Sequence, residues 1–297
     1  MFSNIYYLPI DFNILSLEDC YLPSFICSII RGILGNSLRE NYCDNLERSC
    51  ENCIKSRVCL YTRVFHNFGE RDGKLVVFPP PYIISKCSDT TNLIKKNTLI
   101  SFRITLFGSG CDFFQDMVLN IENGLKYGLG VNRSKFTLYS CLVKNQHIYK
   151  DGKLGSSRVS PIYFNFERVD CKKVQFIFKT PLKIKSSSKV KDHLDFSALW
   201  ESIFRRVSII SEIYCNNKME RPDFDLNIKT IHMDLHWQKL ERFSNRTKEK
   251  MSLGGIVGSV CFEGNLTEFT PFFEAGKILC IGKNCSMGLG CYDVFYD

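Results

Sequence analysis

Two matching series of strand and helix patterns, each closing on a Gly-Leu-Gly tripeptide, predict an α+β chain of two tandem ferredoxin-like (RRM-like) βαββαβ domains. A third observation, four cysteines packed between residues 43 and 59, adds a zinc-knuckle-like insertion to the first domain. The expected domains are residues 1–168, with the insertion at about 43–60, and residues 169–297, with a glycine-rich loop near the end. At 297 residues and 44% apolar content the chain has ample material for buried cores.

Taken in order, residues 5–14 read as a strand. Leu22, Phe25, Ile26, Ile29, Ile30 and Ile33 then recur at helical spacing through about residue 41. The opposite face of that helix carries Ser28, Arg31, Gly32, Gly35 and Arg39, two cations beside a surface without bulk where another chain can approach. "KLVVF", the Pro79-Pro80-Pro81 break and "YIISKC" read as strands around a rigid connector. "TLISFRITLFG" is the next strand, residues 112–125 a helix, and "KFTLYSCLV" the strand after Gly128-Leu129-Gly130. The second series runs through "KKVQFIFKT" and a helix marked by Phe196, Leu199, Trp200, Ile203, Val207 and Ile210. It continues with "KTIHMDLHW", "GGIVGSVCF", a short helix at 266–275, and a last strand, "CYDVFY", after Gly288-Leu289-Gly290.

Composition narrows the function classes. No apolar run approaches the roughly 18 residues of a membrane span. The first residues, with Asp11, Glu18 and Asp19 and no basic leader, do not resemble a signal peptide, so the expectation is a cytoplasmic protein without a membrane partner. A net charge of +8, with Arg242, Arg246, Lys248 and Lys250 crowded in one segment, suits a polyanion. Of fifteen cysteines, an odd count, eleven are scattered and read as small buried hydrophobes rather than disulfide partners. Cys43, Cys50, Cys53 and Cys59 are the exception: four soft donors on a short tether suit a closed, structural zinc site, with reduced thiols as the other reading.

The stretch "GKILCIGKNCSMGLG" at 276–290 is not a nucleoside-triphosphate loop. Lys277 stands where a Walker A glycine belongs, Asn284 replaces the magnesium-binding hydroxyl, and the motif precedes a strand instead of a helix. No third glycine completes a dinucleotide fingerprint. What remains is an anion cradle of backbone N–H groups at Gly282, Gly288 and Gly290, with Lys277 and Lys283 as point charges, suited to a sugar-phosphate backbone.

Six stretches in order, "IIRGILGNSLRE", "CLYTRVF", "PPPYII", "KTPLKIK", "RFSNRTKEKMSLGGIVGSV" and "GKILCIGKNCSMGLGCYDV", make the chain resemble the CRISPR-associated repeat-processing endoribonucleases of the RAMP superfamily, in the branch with a cysteine insertion. The resemblance spans nearly the whole chain. It implies cleavage of precursor CRISPR RNA within its repeats, by attack of a 2'-hydroxyl that leaves a 2',3'-cyclic phosphate, with no catalytic metal. It also implies repeat and guide RNA, and other CRISPR effector subunits, as partners. Arg242, Ser244, Asn245 and Arg246 match the family's Arg-aromatic-Ser-Asn-Arg stretch and are expected to grip RNA, together with Arg31, Arg39 and the loop residues.

Proton transfer in such a reaction is usual work for histidine. His66 follows the cysteine insertion, and His232 and His236 share a strand face with Asp234, so these three are the catalytic candidates; His147 and His193 fall in expected loops. Where many relatives carry a histidine just before the Gly-Lys pair, this chain has Cys280, a poor proton shuttle. The alternative function is therefore a catalytically inactive subunit that holds repeat RNA.

Overall fold

The computed structural model describes residues 2, 4–23, 25–44, 50–71, 73–86, 92–155, 158–184, 193–244 and 249–297. It divides into two compact units, one of Tyr6–Ile162 and one of Met1–Ile5 with Tyr163–Asp297. The division thus falls a few residues before the expected 168/169 boundary, and the first residues group with the C-terminal unit. Phe2, 5% exposed, accounts for this: its ring meets Phe164, Phe166 and Phe272, the last at 5.1 Å.

In the N-terminal unit, β1 (Tyr6–Ser16) alternates strictly, burying Leu8, Ile10, Phe12 and Ile14. After α1 (Cys27–Tyr42) comes the insertion: the cysteine segment, α2 (Leu60–Phe65) and the hairpin β2 (Phe68–Arg71) and β3 (Lys74–Val77). Then follow β4 (Tyr82–Lys86), β5 (Leu99–Phe107), α3 (Phe114–Leu125), β6 (Phe136–Val143), β7 (Gln146–Lys150) and β8 (Lys153–Leu154). The sheet runs β8-β7-β6-β1-β5-β4 with every neighbouring pair antiparallel. Phe12 and Phe102, opposite each other in the β1–β5 register, stack at 5.1 Å. The helices α1 and α3 pack closely where Gly124 of α3 lies against Ile33 of α1, so close that a Cβ there would sit 2.9 Å from the Ile33 carbonyl. Their polar seam is satisfied internally, with the Asn120 amide oxygen accepting from Ser37 and from Asn41, each at 2.9 Å.

The C-terminal unit repeats the plan. It consists of β9 (Lys173–Leu182), α4 (Phe196–Cys215), β10 (Lys229–Gln238), the hairpin β11 (Glu241–Ser244) and β12 (Glu249–Ser252), β13 (Gly255–Glu263), α5 (Thr270–Leu279) and β14 (Tyr292–Tyr296). Its antiparallel sheet runs β10-β13-β9-β14. Counting the strands that flank the two helices, both units order them fourth, first, third, second. Aromatic rings fill the space between sheet and helices: Phe176 meets Phe273 at 5.0 Å, Phe196 meets Phe262 at 5.2 Å, and Trp200 meets Phe269 edge-on at 4.9 Å.

The closing tripeptides match in conformation as well as in sequence. Gly128 and Gly130 have φ of 79° and 74°, Gly288 and Gly290 φ of 75° and 72°, and the leucine between each pair is 1% exposed. Each tripeptide turns the chain from helix into closing strand while burying one apolar side chain, which demands left-handed backbone on both sides. Two expectations change in detail. The helix expected at 266–275 runs from Thr270 to Leu279, because a 3-10 turn occupies Thr267–Phe269 and Pro271 sets the first helical turn. Among the scattered cysteines, Cys280 and Cys291 are not isolated hydrophobes but a disulfide pair.

Candidate functional site

The glycine-rich loop is built on the end of α5. At Cys280 the backbone takes φ 47°, ψ 159°, which ends the helix and turns the chain back at once. The Ile281 N–H then donates to the Gly290 carbonyl at 3.0 Å, closing a hairpin stem. Gly282, φ 84°, passes so close to the Lys183 carbonyl that a Cβ there would lie 2.7 Å from it, and the Lys283 N–H donates to that same oxygen at 2.9 Å. Asn284, φ 63°, starts the turn Cys285–Met287, after which Gly288, Leu289 and Gly290 are buried.

This arrangement differs from an open nest of N–H groups. Those of Ile281, Lys283, Met287, Gly288 and Gly290 are all committed to carbonyls of the unit itself. Gly282, Gly288 and Gly290 therefore shape the loop, and its solvent-facing tip is Lys283 and Asn284. Lys277 sits on the last turn of α5, 3.9 Å from the Glu274 carboxylate, which also accepts from the Tyr296 hydroxyl at 2.8 Å.

A residue that the sequence reading missed supports the loop from below. Arg206 of α4 is 7% exposed and donates from Nε to the Leu279 carbonyl at 3.2 Å, capping α5 at the end where the helix dipole favours a cation. Its charge also acts on the thiol of Cys285: burial pushes that thiol up, and Arg206 opposes the shift. The signal was present, since Arg206 falls among Ile203, Val207 and Ile210 on the apolar face of α4, where a charge must have a buried task.

On β10, His232, Asp234 and His236 are exposed while Met233, Leu235 and Trp237 are half-buried, the alternation the sequence indicates. Helices cover the other face of the sheet. On the histidine face the register sets Cys261 beside His232, Ser259 beside Asp234 and Val257 beside His236. Gln175, Ile177, an ion pair of Lys179 with Asp293, and the 52%-exposed Phe295 continue the same surface.

The N-terminal candidates have internal partners. The Arg31 guanidinium lies 4.0 Å over the Phe65 ring of α2 and beside the buried hydroxyl of Tyr82, whose pKa is raised by burial and opposed by Arg31. Phe65 also covers Gly35, so the chain that approaches this helix face is the insertion itself, while Gly32 stays open. His66 ends α2 and stacks on Phe68 at 6.0 Å, with Tyr61 at 5.6 Å.

Cys43, Cys50, Cys53 and Cys59 are half-buried. The Cys50 thiol is pushed up chiefly by burial and also by the other three sulfurs, with Arg39 opposing, so the four share one electrostatic neighbourhood. The donor chemistry suits zinc, yet among the described residues no three such side chains are gathered closely enough to hold a metal ion. In the basic hairpin, Arg242 reaches the Met251 sulfur across the β11–β12 pair at 3.7 Å. Asn245, Arg246 and the side chain of Ser244 lie outside the described residues. Among the described residues no helix is long and apolar enough to cross a membrane.

Several solved structures share the fold. The chain superposes on a partial Cas6-RT-Cas1–Cas2 complex with a TM-score of 0.58 at 13% identity, over 99% of its own length and 46% of that chain. It therefore spans less than half of that larger relative. A Cas6 product complex gives a TM-score of 0.57 at 12% identity, covering 97% of this chain and all of the other. Thermus thermophilus Cas6 gives 0.54 at 11% identity, covering 98% and 99%. Residues 5–161 match a family model described as an N-terminal domain, and residues 176–292 match that of the CRISPR-associated endoribonuclease Cas6. Over residues 176–292 the chain is thus similar to the Cas6 family. No curated protein sequence matches it significantly.

Proposed function

We propose that this protein is a metal-independent endoribonuclease that cleaves precursor CRISPR RNA within its repeats. In this reading a base takes the proton of the 2'-hydroxyl, the oxygen attacks the adjacent phosphorus, and an acid protonates the departing 5'-oxygen, leaving a 2',3'-cyclic phosphate and a 5'-hydroxyl. Cations near the phosphate offset the charge that gathers on its oxygens. The observation that carries the proposal is the Cas6 match over residues 176–292, which contains the cationic loop tip Lys283–Asn284 and the exposed histidine face. The strand order shared by both units supports two tandem ferredoxin-like domains. Partners in this reading are repeat and guide RNA and other CRISPR proteins, in the cytoplasm.

One observation favours the second reading, an RNA-holding subunit without activity: Cys280, where the family resemblance leads one to expect a histidine, is tied up in a disulfide and has no proton to move. Incubation with labelled repeat RNA in EDTA, beside a copy with single 2'-deoxy sugars, separates the two. Cleavage at one site, abolished by the deoxy sugar there, is the expected result; tight binding without cleavage selects the holding role. In the same assay Lys283→Ala is expected to weaken binding about 3- to 10-fold and to lower the salt slope by about 0.7, as loss of one phosphate contact does.

A structural zinc on Cys43, Cys50, Cys53 and Cys59 forms part of the proposal. Elemental analysis of protein purified without chelator should give one zinc per chain, lost on Cys50→Ser and Cys53→Ser. A metal-free protein with normal folding removes the zinc reading.

A further inference from the structure

Cys280 and Cys291 stand at the two feet of the glycine-rich loop, with Cα atoms 4.6 Å apart and a sequence separation of 11. Their bond joins the residue that follows α5 to the residue that precedes β14, so the whole loop from Ile281 to Gly290 lies inside the ring it closes. Cys280 is 3% exposed, whereas Cys291 is half-buried and open to solvent on one side. The second foot is anchored independently: the Cys291 N–H donates to Thr180 Oγ1 at 2.9 Å, and its carbonyl accepts from the Lys179 N–H at 3.0 Å. The first foot runs at a left-handed φ of 47° that a cysteine rarely adopts, and its backbone is tied through the next residue, whose N–H donates to the Gly290 carbonyl at 3.0 Å. The sulfur bridge adds a covalent tie between the two feet.

We propose that this disulfide is a redox-controlled clasp that sets the order of the loop tip Lys283–Asn284 and, resting on the RNA-binding reading above, the affinity for RNA. A dithiol reductant opens it in two steps. One reductant thiolate attacks the accessible Cys291 sulfur, breaking the Cys280–Cys291 bond, and Cys280 leaves as a thiolate that takes up a proton. The second reductant thiol then displaces Cys291 as a thiol, and the reductant departs as its own disulfide, having supplied two electrons and two protons. The Ile281 to Gly290 hydrogen bond survives, so the stem loosens without unfolding. A loose tip must be ordered when it grips a phosphate, and that ordering lowers affinity.

The test compares the same protein oxidised and reduced, with Cys280→Ser and Cys291→Ser variants beside it and Cys215→Ser as a control. Thiol alkylation mapped by mass should leave Cys280 and Cys291 blocked together in the oxidised protein and labelled after reduction; labelling of both in the oxidised protein overturns the clasp. Hydrogen exchange of amides 282–290 should quicken about 10-fold on reduction, a change confined to the loop, and both serine variants should show the fast rate under either condition. Equal exchange in the two states also overturns it. Repeat RNA should bind the oxidised form about 5-fold more tightly, while Cys215→Ser keeps the full response. Equal affinities beside unequal exchange refute control of RNA binding, whereas no RNA binding in either state removes the RNA reading and leaves the clasp to stand on its exchange result.

Discussion

Gly290→Ala is expected to cost the C-terminal unit about 3 to 4 kcal/mol. A φ of 72° costs an L-residue roughly 1 to 2 kcal/mol before any contact is considered. The added Cβ would also collide with the Ile281 carbonyl, which is backbone and cannot turn aside. To make room, the stem must give up hydrogen bonds from Ile281 N–H to Gly290 O and from Gly290 N–H to Pro181 O, each worth about 1 kcal/mol net. Both tryptophans of the chain, Trp200 and Trp237, belong to this unit, so their fluorescence in a urea titration follows its unfolding alone. The matched control is Gly32→Ala in α1, where no atom lies within 4 Å of the new Cβ. There the helix interior gains about 0.5 to 1 kcal/mol, seen by circular dichroism without change in the tryptophan transition. A Gly290→Ala protein within 1 kcal/mol of the parent refutes the stem geometry.

The same contrast separates what is legible in the sequence from what is not. Periodicity located the strands and helices around both sheets because each buries one face, and the repeat of Gly-Leu-Gly correctly marked equivalent turns. The extent of α5 was hidden because Gly276 reads as a breaker; it is helical since the Tyr292 ring packs against it, and the Tyr292 hydroxyl donates to the Phe273 carbonyl at 2.7 Å. The Cys280–Cys291 pair was hidden for a related reason. Nothing local distinguishes these two cysteines from their neighbours until the Ile281–Gly290 stem brings them together. The cation on the apolar face of α4 was visible, but its purpose depends on where α5 ends.

Of His232→Ala and His236→Ala, at most one is expected to slow cleavage by about 10² to 10⁴, the usual worth of a positioned proton donor or acceptor. The strand decides this. Four residues along a β-strand span about 13 Å, and side chains on one face stand nearly perpendicular to the sheet. The β10 register is regular from His232 to His236, its one irregularity lying between Thr230 and His232. The proton leaving the 2'-oxygen and the proton reaching the 5'-oxygen flank a single phosphorus, within a few ångströms of each other. Two rings about 13 Å apart do not both touch those oxygens, so acid and base are not this pair. The other histidine is left with an adjoining nucleotide, and its loss should alter affinity and salt slope while leaving the single-turnover rate within about 3-fold. Single-turnover rates at saturating enzyme, with binding measured separately on deoxy-substituted RNA, distinguish the two behaviours. Losses of more than 100-fold in rate for both variants at unchanged affinity would falsify the separation, and with it either the register of β10 or the single-phosphate mechanism.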